Sequence, residues 1–184
     1  MITKKRLLDV LIIIVIPFTI AGILWFLGVF SSGVDSGSLT QDNPDWLVYE
    51  KFDTSIEVEI NSPIWLAMES GRLFQKLLEE TITPEDMYYA LLPFTSEVGM
   101  DAYINDKHTI IRNMKDLVEL LRSMDNVLES IEFSKEIHTS ENKASVMRIL
   151  HYSSRPQYFK QDFILEDGQW KIMGDNILDG FILR

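Results

Sequence analysis

Three histidines, His108, His138 and His151, are the only side chains in this chain that titrate near neutral pH without help. No two of them have metal-ligand spacing, and no Asp-x-Asp-x-Asp run offers a calcium loop. His108 falls near the start of an amphipathic segment, and His138 lies beside the turn residues Thr139-Ser140-Glu141-Asn142. Imidazoles in such places are ordinarily solvated. His151 shares strand parity with Met147 and Ile149, which would carry it onto the concave face of a sheet or its rim as a general base. Tyr88, Tyr89 and Tyr103 could line a pocket mouth, although aromatics so placed more often complete a core between helices and sheet. Tyr88, Tyr103 and His151 are therefore the candidate pocket rim.

The remaining charged clusters have ordinary readings. Glu79-Glu80 and Glu85-Asp86 could suggest a cation site, but acids at a helix start are favoured by the helix dipole alone. Arg148 and Asp162 are expected as a cross-strand pair on an exposed face, worth ~0–1 kcal/mol. The chain has no Gly-x-Ser-x-Gly, no phosphate loop and no dinucleotide fingerprint. No catalytic, cofactor or metal residue is assigned, and the expectation is a protein that is not an enzyme and carries no cofactor. The absence of cysteine excludes disulfides, thiolate metal sites and a lipidated cysteine anchor.

The first thirty residues set the location. Lys4, Lys5 and Arg6 precede an uncharged run from Val10 to Val34. Val10–Phe30 alone gives about 31 Å of helix at ~1.5 Å per residue, enough for a hydrocarbon core of ~30 Å. Residues 1–6 are expected in the cytoplasm, 7–30 as a transmembrane helix, and the rest outside, following the positive-inside rule. The run is longer than the apolar region of a cleaved signal, and no A-x-A site follows it. An uncleaved single-pass anchor in the cytoplasmic membrane is the reading.

Residues 31–44, SSGVDSGSLTQDNP, read as a flexible stalk, and 45–184 as one extracytoplasmic domain. The chain carries a net charge of −11, and residues 31–184 hold 27 acidic against 14 basic side chains. A domain so acidic is not drawn to nucleic acid or to anionic headgroups.

Within the domain, Ile56-Glu57-Val58-Glu59-Ile60 alternates like a short strand. Ser62-Pro63 and Thr83-Pro84 are helix starts, the first helix running through Glu80 and the second closed by Pro93. A third helix is expected from Lys107 to Ser123, with Ile110, Met114, Leu117 and Leu121 on one face. After Asp125-Asn126 the period changes to two. Val127–Ile137, Ala144–Tyr152, Tyr158–Glu166 and Gln169–Ile177 are the expected strands.

Asp167-Gly168 predicts a type I′ hairpin pairing Leu165 with Trp170 and Phe163 with Ile172. A turn around Ser154–Pro156 would set Met147 opposite Phe163, Ile149 opposite Gln161 and Arg148 opposite Asp162. Phe133, Met147, Phe163 and Ile172 would then form one oily face toward the helices. Arg148, Asp162, Lys160 and Lys171 would mark the other, largely wet.

Helices followed by an antiparallel sheet, ending in the phrase Phe163-Ile164-Leu165-Glu166-Asp167-Gly168-Gln169-Trp170-Lys171-Ile172, resemble the nuclear-transport-factor-2-like superfamily over residues 62–178. The resemblance implies a cone-shaped α+β fold, helices packed on a curved antiparallel sheet of about four or more strands. Members with one N-terminal span include scaffold subunits of conjugation and secretion machines and small anchored proteins of Gram-positive bacteria. Enzymes on this fold work inside the cone with Asp, His and Tyr groups.

The chain ends on apolar residues, with Leu178, Phe181, Ile182 and Leu183 the possible partner contact unless the tail packs on its own domain. The expected role is a membrane-anchored scaffold binding other envelope proteins or itself. The alternative is a small-ligand binder, or an isomerase- or lyase-type enzyme using the cone interior.

Overall fold

A computed structural model describes residues 47–184; the expected tail, span and stalk lie outside them. Among the described residues no helix is long and apolar enough to cross a membrane. Over the described residues the fold is α+β, four helices and a short 3₁₀ turn against a curved antiparallel sheet of five strands.

Helix α1, Pro63–Leu78, starts where the sequence places it. The Ser62 hydroxyl accepts the Trp65 N–H at 3.2 Å, and the Glu136 carboxylate accepts the Ile64 N–H at 3.0 Å. Two otherwise orphaned amides of the first turn are thereby satisfied. The helix stops two residues earlier than expected, with Glu80 in the left-handed region at φ 56°. Ala67, Ser70 and Gly71 bring α1 close to the sheet, for a Cβ added at Gly71 would lie 3.1 Å from Phe133 Cζ.

Helix α2, Pro84–Leu91, opens with a capping box in which Thr83 Oγ1 accepts the Asp86 N–H and Asp86 accepts the Thr83 N–H. Pro93 then forces the 3₁₀ turn Leu92–Phe94. Helix α3, Glu97–Asn105, was not expected from the sequence, and α4 spans Lys107–Ser123 as expected.

The Thr83 N–H holds the Asp86 carboxyl below its ordinary value. A depressed folded value means the cap contributes fully above the unfolded value of ~3.9 and is lost as pH falls through the folded one. In melts from neutral to strongly acid pH, Asp86→Asn is expected to be less stable than the parent near neutrality, the gap closing at the acid end.

Strands β1 (Val48–Tyr49) to β7 (Ile182–Leu183) follow in chain order, with β2 Leu128–Phe133, β3 Ile137–Ser140, β4 Lys143–Tyr152, β5 Pro156–Glu166 and β6 Gln169–Leu178 between them. The sheet order is β2-β4-β5-β6, with β3 pairing the far end of β4. Asp167 and Gly168 both take positive φ, and the hairpin pairs Leu165 with Trp170 and Phe163 with Ile172 as expected.

Four expectations are corrected. Ile56–Ile60 is not a strand: the chain pairs with the sheet just before it, at Glu50–Phe52, and turns at Asp53–Ile56. Phe52 donates to the Phe133 carbonyl, Lys51 bridges to Ser134, and Lys135 donates to the Glu50 carbonyl.

The expected strand through Ile137 breaks at Ser134, whose hydroxyl accepts the Met147 N–H at 2.9 Å in place of a backbone carbonyl. Ile137 therefore joins the face opposite to Phe133.

The β4–β5 turn is Tyr152–Arg155, with His151 opposite Pro156, so Met147 faces Lys160 and Arg148 faces Phe159. That register differs by three residues from the expected one, and an odd offset turns every side chain of a strand over. Arg148 points to the helices and Met147 away from them.

Lastly, the outer face is wet only in part, around Asp162 and Lys160. Met147, Ile149 and Phe181 form a buried cluster on that face with Tyr49, Tyr158 and Leu178 around it. The tail packs on its own sheet, and β7 runs parallel to β1.

Candidate functional site

The helix-facing side of the sheet is apolar except at one place. Phe133, Val146 and Phe163 lie toward one end with Ile64, Leu66 and Ala67 of α1, and Leu150, Tyr152 and Phe159 toward the other with Leu121 of α4. Between them Ser70 of α1, Arg148 of β4, Gln161 of β5 and Asp175 of β6 converge, all buried.

Asp175 arrives there through a bulge. Phe163 opposes Ile172, but Asp162 opposes Gly174, so Met173 is unopposed and Asp175 turns inward opposite Gln161. Without the extra residue Asp175 would face outward.

Arg148 Nη2 donates to Asp175 Oδ2 at 2.5 Å, and Nη1 donates to the Ser70 hydroxyl at 3.3 Å. Ser70 Oγ in turn lies 3.3 Å from Gln161 Oε1 and 3.0 Å from the Ala67 carbonyl oxygen. The guanidinium sits 5.8 Å from the Phe159 ring centroid. Among the described residues Arg148 Nε and Asp175 Oδ1 have no hydrogen-bond partner. Burial pushes the Asp175 carboxyl above its ordinary range, with Arg148 acting against the shift. Burial also raises the Tyr152 hydroxyl, again opposed by Arg148.

The Arg148 and Asp175 side chains are only 8% and 3% exposed. A general base must reach its substrate's proton, directly or through one water. Asp175 is closed off by its own counterion and by α1, so in this geometry the group ties helix to sheet.

The residues singled out from sequence lie elsewhere. His151 is on the outer face, its Nε2 3.6 Å from the Glu132 carboxylate. The Lys51 ammonium, 2.7 Å from Glu132, holds that carboxyl below its ordinary value. The parity linking His151 with Met147 and Ile149 holds, but that face is the outer one. Tyr88 and Tyr103 stack with centroids 4.6 Å apart, and each hydroxyl donates to the other's backbone carbonyl. They complete the core between α2 and α3. Tyr89 is exposed beneath the Lys107 ammonium, 4.5 Å from the ring centroid. His108 is exposed, and His138 contacts Glu136 at 3.0 Å and meets Trp170 edge-on.

Of the acids, Asp86 caps α2, Glu79 accepts from Gln75 and Glu80 pairs with Arg122. Among the described residues no group of three or more His, Asp or Glu side chains could hold a metal ion. Of the four tail residues, Phe181 is buried in its own domain, while Leu178, Ile182 and Leu183 are half-buried. The expected Arg148–Asp162 pair does not form. Asp162 lies on the outer face with Ser145, Asn176 and Lys160.

Ser70, Gln161 and Asp175 were missed from sequence. One signal was available: Val146-Met147-Arg148-Ile149-Leu150 is apolar on both parities, which marks a strand covered on both faces and an arginine buried whichever way it points.

Compared with family models, curated proteins and solved structures, the chain matches none.

Proposed function

We propose that this chain is a single-pass membrane-anchored assembly protein, its domain held outside the cytoplasmic membrane to bind other envelope proteins rather than to catalyse. The observation carrying this reading is the closure of Arg148, Asp175, Ser70 and Gln161 on one another beneath α1. An enzyme or small-ligand binder needs polar groups converging on a space that a ligand can enter. The apolar run Val10–Phe30 behind Lys4, Lys5 and Arg6, and the resemblance to nuclear-transport-factor-2-like scaffolds, supply the anchor and the role.

The test is crosslinking of the full-length protein in its native membrane, with identification of what is captured. Repeated recovery of the same envelope subunits is the expected result. Recovery of the protein alone overturns the assembly reading and moves attention to a ligand beneath α1. Controls should substitute exposed side chains, since removing the last residues would take Phe181 out of the core.

A further inference from the structure

The segment between β1 and α1 has the composition of a strand and the hydrogen bonding of none. Two turns bracket it: the Ile56 N–H donates to the Asp53 carbonyl at 3.1 Å, and the Ser62 N–H to the Glu59 carbonyl at 3.1 Å. Asp53 also accepts from the Ser55 N–H and hydroxyl. Val58 is pinned inward against the cluster of Ile64, Phe133 and Phe163. Glu57 and Glu59 are thereby held out, and the two turns leave Ile56 and Ile60 exposed at either end. Ile56 is 56% and Ile60 71% exposed, and Glu57 and Glu59 are exposed between them. Among the described residues neither glutamate carboxylate has an ion pair or hydrogen bond, and the backbone N–H groups of residues 57–60 find no protein acceptor.

Unpaired main-chain groups beside exposed aliphatic side chains form a template for another strand. Charge selects the occupant. A second copy pairing antiparallel about Val58 would put Glu57 opposite Glu59, and like charges directly opposed are destabilising. The anionic surface of a membrane is repelled for the same reason. We propose that Ile56–Ile60 is a docking strand for an extended segment of another protein in which lysine or arginine alternates with aliphatic residues. Main-chain bonds give the register, Ile56 and Ile60 cover the aliphatic side chains, and Glu57 and Glu59 meet the cations. This deepens the assembly reading and rests on it.

The probes are the peptides acetyl-KVKIKVK-amide and acetyl-EVEIEVE-amide, titrated against the full-length protein in neutral detergent. Anisotropy reads affinity, and backbone amide shifts read location. The expected result is at least about tenfold tighter binding of the basic peptide, with shifts centred on residues 56–60. E57K/E59K should reverse the preference, and I56S/I60S should weaken binding of the basic peptide about tenfold. All four side chains are exposed, so the variants keep the core intact. Equal binding of both peptides, or binding of the basic one that survives I56S/I60S, overturns the docking strand. If the peptides fail while envelope subunits are still captured, the strand is wrong and the assembly role stands.

Discussion

Asp175→Asn is expected to lower the stability of the fold by about 3–5 kcal/mol, the usual cost of removing one partner from a buried ion pair. The loss is not the worth of one hydrogen bond. The variant leaves the Arg148 guanidinium between α1 and the sheet with no counterion. The double variant R148M/D175V removes both charges and fills the space with apolar groups. It should recover most of that loss or exceed the parent, as replaced buried pairs often do. Urea unfolding of the full chain in neutral detergent checks both, with the midpoint moving and the slope unchanged.

The pair of variants also separates structure from function. If the network only ties helix to sheet, the double variant folds and still crosslinks to its partners. A double variant that folds normally but captures nothing would make the network part of the binding apparatus. Asp175 has one further consequence, as an inward charge on an edge strand next to a bulge. Both are devices that discourage edge-to-edge pairing, so the double variant should also aggregate at lower concentration.

What could be read from sequence was local. Ser62-Pro63, Thr83-Pro84 and Asp167-Gly168 each encode a cap or turn within four residues, and each stands where it was expected. The sites of error were decided at a distance. The β4–β5 connection has no glycine to mark its centre, so its register follows from which face of β4 packs best against α1. An odd displacement there moved Arg148 from a wet face to the core. The bulge at Met173 has one local sign, Gly174 beside it, which marks a break in the ladder without saying which way Asp175 turns. Helix α3 was overlooked because Glu97-Val98-Gly99-Met100-Asp101 has a glycine as its third residue and no clear apolar stripe. For Ile56–Ile60 the alternation was real, but alternation reports a period and not a partner.

Phe181→Ala is expected to cost about 3–5 kcal/mol, the range for deleting a buried aromatic ring. Phe181 is 3% exposed and sits edge-on to Tyr49 at 5.5 Å and to Tyr158 at 5.2 Å, above Met147 and Ile149. Its loss would act beyond the cavity it leaves. The Ile182 N–H donates to the Leu47 carbonyl, the Arg184 N–H to the Tyr49 carbonyl, and the Lys51 N–H to the Arg184 carbonyl. These three bonds tie the end of the chain to the segment through which it enters the domain, and Phe181 is the side chain that holds the tail down. Amide exchange at Ile182, Arg184 and Lys51 should therefore rise with the Phe181→Ala substitution, well before global unfolding. Ile182→Ala, at a half-buried position, should cost much less and leave the Lys51 amide protected. An unchanged stability in Phe181→Ala would mean that the tail is not clasped to its own sheet. Leu178, Phe181, Ile182 and Leu183 would then be free for a partner, and the assembly surface would include the end of the chain.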